Sequence, residues 1–324
     1  MQRIHSFLDS SLQMSKATEA CPIGTPQAGK ADGCDGCPGQ KFCATGTKPP
    51  EDPDIATIAS NMKEIKNIVV VLSGKGGVGK SLTSMMLARS FADDEDCEVG
   101  LLDIDICGPS VPTMTKQLNA TVQTSNTGWS PVYIEENLAL MSAGFLIGDK
   151  NEAVIWRGAK KTALIKQFLR DTDWGELDYL VIDAPPGTSD EHLTLVQSLK
   201  GYTGNLSCIV VTTSSVLSLA DVRREITFCE KSNINILGIV ENMADFQCPK
   251  CGESVNIFNC DGTDNTDGLC EEKSLKKLAK LPLNPFIAYL IDNGDNPFDE
   301  SFKVPKPSLK MYTDLAESIK SQID

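Results

Sequence analysis

The chain has 324 residues and a formal net charge of −14, with 41% hydrophobic and 23% charged residues. That composition supports a sizeable folded core and excludes wholesale disorder or a fibrous repeat. The negative charge disfavours non-specific binding to nucleic acid or anionic lipid, and no apolar run approaches the ~20 residues of a membrane helix.

Residues 1–54 are rich in Gly, Pro, Ser, Thr and Cys and show no helical or strand period. The opening stretch lacks a continuous apolar segment, so neither a secretory signal nor a strong transit peptide is expected. Lys48-Pro49-Pro50-Glu51-Asp52-Pro53 reads as a linker. This segment is expected to be an arm without a core of its own, preceding one large domain at 55–324.

From there, short Val/Ile/Leu runs alternate with helical patterns. Strands are expected at 67–73, 98–103, 177–183, 206–212 and 236–241. Helices are expected at 80–91, 157–170, 189–199, 217–231 and 307–321. The pattern predicts an α/β fold: a mostly parallel sheet with helices on both faces. Residues 259–272 form a polar insert whose Asp spacing does not complete an EF-hand.

Between the first strand and first helix runs Gly74-Lys75-Gly76-Gly77-Val78-Gly79-Lys80-Ser81-Leu82. It satisfies G-x-x-x-x-G-K-[ST] in its strand–loop–helix context. Glycines let backbone N–H groups turn inward around phosphate, Lys80 reaches the β/γ oxygens, and Ser81 offers a hydroxyl to Mg²⁺. Asp183 ends an apolar strand, as expected of a residue holding Mg²⁺ through water. Ala184-Pro185-Pro186-Gly187 follows, and Gly187 can bring its N–H to a γ-phosphate. Asp103 and Asp105 close the second strand. One can hold a metal-bound water and the other orient the attacking water, the latter role falling to Asp105. Asn242, after another strand, is the candidate reader of the base. Asn242-Met243-Ala244-Asp245 formally contains N-x-x-D, but lacks the lysine that accompanies a guanine-reading motif.

Twelve cysteines accompany two histidines. Without export, thiols or metal ligands are expected rather than disulfides. Cys21, Cys34, Cys37 and Cys43 have twelve, two and five residues between them. Four thiolates can hold either Zn²⁺ or an iron–sulfur cluster. Cys248 and Cys251 form a second C-x-x-C, half a site. Its other half comes either from Cys260 and Cys270, as a local zinc knuckle, or from the same pair on a second chain. Cys97, Cys107, Cys208 and Cys229 are expected to be small buried hydrophobes.

The string GKGGVGKS, with Lys75 as its extra lysine, resembles the deviant Walker-A loop of the MinD/ParA/nitrogenase-iron-protein class. That resemblance implies that Lys75 reaches across a dimer interface to the partner's nucleotide, and that the nucleotide is ATP. Together with DIDICGPS at 103–110, IWRGAKK at 155–161, VIDAPPGTSDEH at 181–192 and VENMADFQCPKCGES at 240–254, the chain resembles the Mrp/Nbp-type P-loop ATPases of cytosolic iron–sulfur cluster assembly. The four-cysteine arm points to their N-terminally extended scaffold subunit. The resemblance implies one 4Fe–4S cluster in the arm and a labile second one bridged by the Cys248/Cys251 pairs of two chains. It also implies a homodimer or a hetero-oligomer with an armless paralogue, apo iron–sulfur recipient proteins and a cytoplasmic location. Departures are Ala159 where the family has Pro, and Tyr289–Asn293 where it has I-P-L-D-P. Two other readings start from the same loop. A positioning ATPase would want a basic face or an amphipathic membrane helix, and a zinc-stabilised adaptor would not need Lys80, Ser81, Asp105 and Asp183 together.

Overall fold

The computed structural model describes residues 27–31, 34, 40–46, 52–146, 158–248, 250–258 and 265–323. The chain divides into two units, Met1–Pro53 and Asp54–Asp324. In the first, helix α1 spans Gln40–Thr45. A Cβ on Gly29 would fall 2.3 Å from the Ala44 backbone nitrogen, so the close approach there needs glycine.

The second unit is entered through α2 (Pro53–Asn61), with Pro53 at its first position, where a missing N–H costs nothing. The central strand β1 (Ile65–Leu72) leads through the phosphate-loop motif into α3 (Lys80–Ala92). Then come β2 (Val99–Asp103), α4 (Val111–Met114), and the short strands β3 (Gln123–Thr124) and β4 (Trp129–Ser130). β5 (Val132–Glu135), β6 (Leu138–Ser142), α5 (Gly158–Asp171), β7 (Leu177–Asp183) and α6 (Asp190–Ser198) follow. The chain continues with β8 (Asn205–Thr212), α7 (Val216–Ser232), β9 (Asn235–Glu241), β10 (Asp245–Gln247) and β11 (Ser254–Asn256). α8 (Thr266–Lys273), β12 (Lys277–Lys280), α9 (Pro285–Asp292) and α10 (Lys306–Ile323) complete it.

Eight strands form one sheet in the order β12-β9-β8-β1-β7-β2-β6-β5. All neighbours are parallel except the edge pair β5/β6. Alternation along β1 explains the layers. Ile68, Val70 and Leu72 face a core completed by α2, α5, α6, α7 and α8. Val69 and Val71 face the other core, completed by α3, α4, α9 and α10. A strand covered on both faces has no polar side to show, which is why its sequence is a continuous β-branched run. α3 is buried along nearly its whole length, because the sheet takes one side and α10 the other.

The expected strands and helices are present to within a few residues. In the main sheet the sequence reading passed over β5, β6 and β12, and outside it over β3, β4, β10, β11, α2, α4 and α9. The three strands in the main sheet have only four or five residues each, too few for their pattern to separate strand from helix. Part of the polar insert folds as α8, with Asn265 accepting the Gly268 N–H as its N-cap. Residues 259–264 lie outside the described part of the chain.

Candidate nucleotide and metal sites

The carboxyl ends of β1, β2 and β7 meet at the N-terminus of α3, where the sheet topology concentrates ligand-binding loops. Gly79 precedes α3 with φ 83°, and no side chain caps the helix there. Its first N–H groups are therefore not taken by a cap, and they carry the positive end of the helix dipole. Gly77 also has positive φ, at 81°. Gly74 is required for space: a Cβ there would lie 2.6 Å from the Asp221 carbonyl carbon of α7.

Asp183 is the hub of the site. It is fully buried and receives Lys80 Nζ at 2.7 Å and Ser84 Oγ at 2.7 Å on Oδ1, and Ser81 Oγ at 2.6 Å on Oδ2. Lys80 itself is 6% exposed, so the ion pair is nearly dry. Asp103 lies beside it, also fully buried, accepting from Ser142 Oγ at 2.9 Å and from the Asp105 backbone N–H at 3.1 Å. Burial and the adjacent Asp183 carboxylate push Asp103 above the usual carboxylate range. Asp105 is half-buried. Burial raises its carboxyl too, with the Lys80 ammonium opposing.

A groove of about 230 Å³ lies over the loop, lined among others by Lys75, Gly76, Lys80, Ser81, Leu82, Asp105 and Pro186. Asp103 and Asp183 lie beneath it. Gly187, at φ 77°, donates its N–H to the Ser73 carbonyl at 2.7 Å. Asn242 is 3% exposed and braces the loop from behind. Its Nδ2 donates to the Val78 carbonyl at 2.9 Å, and its backbone N–H to Thr212 at 2.7 Å. A Cβ on Gly79 would sit 2.1 Å from that Nδ2, so Asn242 and Gly79 fit only as a pair. One of the two N–H groups of the Asn242 amide is thus engaged by the loop itself. Ser84 and Ser142 escaped sequence reading. Ser84 follows Lys80 by one helical turn, a signal that was available, whereas Ser142 ends the unread strand β6.

Cys248 and Cys251 sit in the turn of the β10/β11 hairpin. Cys248 N–H donates to Glu253 and the Gly252 N–H returns to Cys248, both at 2.8 Å. The backbone N–H groups of Cys251 and Lys250, and then the Cys251 thiol, hold the Cys248 thiol below its ordinary pKa. Those N–H groups favour the thiolate, the form in which sulfur binds metals. Cys251 is exposed, and so are the neighbouring Val255, Ile257 and Phe258.

Cys270 differs. It is 7% exposed, packs in the core under α8, and has its pKa raised by burial. Cys260 lies outside the described residues. In the arm, Cys34 is buried and Cys43 half-buried on α1, while Cys21 and Cys37 also lie outside them. Cys97, Cys208 and Cys229 are buried as expected. Cys107 corrects the expectation: it is exposed and accepts a hydrogen bond from Lys161 Nζ at 2.9 Å, because the loop after β2 turns it away from the core.

A parallel sheet with this phosphate loop, lysine and strand-end aspartate defines a P-loop nucleotide-binding protein. The chain matches the family described as "ParA: NUBPL iron-transfer P-loop NTPase" over residues 64–320, and it belongs to that family. It is 49% identical over 309 residues to a Caenorhabditis briggsae protein named cytosolic Fe-S cluster assembly factor NUBP1 homolog, covering 95% of this chain and 97% of the relative. The Caenorhabditis elegans protein of the same name is 48% identical with the same coverage. Among solved structures, an Archaeoglobus fulgidus nucleotide-binding protein in complex with ADP aligns with TM-score 0.63 and 35% identity, covering 74% of this chain and 91% of that one. The Pyrococcus furiosus cell division ATPase MinD aligns with TM-score 0.55 and 19% identity over 79% of this chain and 99% of its own, a likeness of fold.

Proposed function

We propose that this protein is a cytoplasmic ATP-hydrolysing scaffold that assembles 4Fe–4S clusters and hands them to apo-proteins. The observation that carries the reading is the coexistence, in one folded unit, of an intact phosphate site and a C-x-x-C hairpin turn with Cys251 at the surface. The relatives named as cytosolic Fe-S assembly factors support the cargo and the compartment.

Within one chain, the loop N–H groups and Lys80 bind the β/γ-phosphates. Ser81 and Asp183 are the residues that would hold Mg²⁺, which when bound supplies charge neutralisation on those phosphates. Two oxygens, one from a hydroxyl and one from a carboxylate, are the hard donors such an ion takes. Asp105, on the groove wall, orients the attacking water. Lys75, exposed at the mouth, serves the nucleotide of a second chain. The second chain is another copy or an armless paralogue. It also supplies the other two thiolates that complete a four-sulfur shell with Cys248 and Cys251. A second cluster belongs to Cys21, Cys34, Cys37 and Cys43. Closure of two chains around ATP then alters the geometry of the paired C-x-x-C turns, so hydrolysis governs cluster retention.

Anaerobic reconstitution tests this. The full chain should take up iron and sulfide, hydrolyse ATP, and release iron to an apo-acceptor faster with ATP than without. Zinc uptake in place of iron, or transfer indifferent to ATP, overturns the reading.

A further inference from the structure

His192 stands in the first turn of α6, immediately after the Ala184–Gly187 loop. Its Nδ1 accepts the Ser189 backbone N–H at 3.2 Å and lies 3.1 Å from Ser189 Oγ. A backbone N–H only donates, so Nδ1 is bare and the ring proton sits on Nε2. Burial holds the imidazolium pKa down to about 4, so the ring is neutral at neutral pH. Among the described residues the buried Nε2–H has no partner at full hydrogen-bond geometry, the Pro185 carbonyl acting on the ring only as a weak acceptor.

Across from it, on α7, stands Glu225. It is wholly buried, neither carboxyl oxygen has a hydrogen-bond partner among the described residues, and Oε1 lies 4.0 Å from His192 Nε2. Burial raises this carboxyl to about 7. A donor without a well-placed acceptor thus faces an acceptor without a donor, about 1 Å too far apart to bond. Both ends of the gap touch the phosphate machinery. α7 presses its Asp221–Val222 backbone against Gly74, and the Pro185 carbonyl acts on the His192 ring.

The loop above this gap is committed elsewhere. Gly187 N–H is bonded to Ser73, so it reaches a γ-phosphate only if that bond breaks and the loop shifts. Ser189, the N-cap of α6, follows Gly187 with only Thr188 between them, so a shift of the loop reaches the first turn of α6 directly.

We propose that Glu225 is a positioning residue for hydrolysis: as the Pro185–Gly187 loop moves onto ATP, His192 Nε2–H closes onto the Glu225 carboxylate and locks α6 against α7. The inference rests on the ATPase reading above. The lock explains why a carboxylate is buried without a partner. The cost of leaving it unpaired is carried by the open arrangement and relieved in the reacting one, so the contact favours the closed loop.

The chain has two histidines, His5 and His192, so histidine-selective ¹⁵N NMR reads the ring directly. The sample is the full chain with and without Mg²⁺ and a non-hydrolysable ATP analogue, with binding followed by calorimetry in the same buffer. The expected result is an Nε2–H tautomer whose proton moves downfield by about 1 ppm or more on binding, with His5 unmoved. Kinetics supply the second arm. Glu225→Met should lower kcat about tenfold, hold KM for ATP within about twofold, and leave the melting temperature equal or higher. Glu225→Gln, whose amide oxygen still accepts, should recover kcat to within about threefold of the parent. Failure to bind the analogue overturns both the ATPase reading and the lock. Binding with an unmoved His192 signal, as a fixed water bridge would give, overturns the lock alone, as does parental kcat in folded Glu225→Met. If Glu225→Met does not fold, the parent's NMR response decides.

Discussion

Asp103 and Asp183 stand opposite each other in the pairing of β2 with β7, two fully buried carboxylates on adjacent parallel strands. Lys80 bonds to Asp183, and Asp103 is left to a serine hydroxyl and one backbone N–H. Each carboxylate raises the electrostatic cost of the other, and the lysine ammonium offsets both.

Lys80→Ala should therefore do two things. It should abolish measurable ATP binding, and it should cost about 3 kcal/mol of stability by stranding buried negative charge. Adding Asp103→Asn should restore part of the stability and none of the binding. Isothermal calorimetry and urea unfolding separate the two effects. Parental affinity in folded Lys80→Ala would remove the phosphate-site assignment.

Lys75 is exposed at the mouth of the groove and bears on the trans reading. Lys75→Ala should keep ATP binding by the single chain and lose ATP-dependent dimers and turnover. Mixed with Asp105→Ala chains, it should regain some activity, because one of the two composite sites keeps both residues. Verified mixed dimers with no recovery would count against action in trans.

The hairpin cysteines and Cys270 should separate cleanly. With the arm site disabled by Cys34→Ala and Cys37→Ala, reconstituted protein should hold about four irons per dimer. Cys248→Ala or Cys251→Ala should abolish this, whereas Cys270→Ala should not, since its thiol is packed in the core. One zinc per monomer, lost on mutating Cys270, would replace the bridged cluster with a local knuckle.

The His192/Glu225 pair has a signature in stability against pH. Glu225 is raised to about 7 from 4.5, so its contribution is present at low pH and lost as pH climbs toward 7. His192 is lowered to about 4 from 6.5, so the folded state refuses a proton the unfolded chain accepts, and its contribution is lost as pH falls from 6.5 toward 4. Glu191 and Lys80 act on the same ring in opposite directions. In the parent the two slopes largely cancel between pH 4.5 and 6.5. Glu225→Gln should expose the histidine slope alone and stabilise the protein above pH 7 by a figure on the order of 3 kcal/mol. Urea midpoints across pH 4.5–8 measure it; a variant that tracks the parent at every pH would refute the buried carboxylate's role.

The phosphate loop was legible in the sequence because glycine spacing, a lysine and the strand-to-helix switch are local requirements, met within a single stretch of chain. The buried strands were legible for a similar reason: a strand covered on both faces must be apolar throughout. The edge strands β5 and β12 lack that constraint, and the interior strand β6 is only five residues long, too short for its apolar run to stand out, so they went unread, and Ser142 with them. What only the tertiary structure decided are the pairings between distant segments. Asn242 behind Gly79, Asp103 beside Asp183, Cys107 at the surface, Cys270 in the core, and Glu225 facing His192 all depend on which strands are neighbours and which helix covers them. A residue's chemistry is written in its side chain. Its solvation and its partner are set by contacts between elements remote in sequence, and those exist only once the sheet has chosen its order.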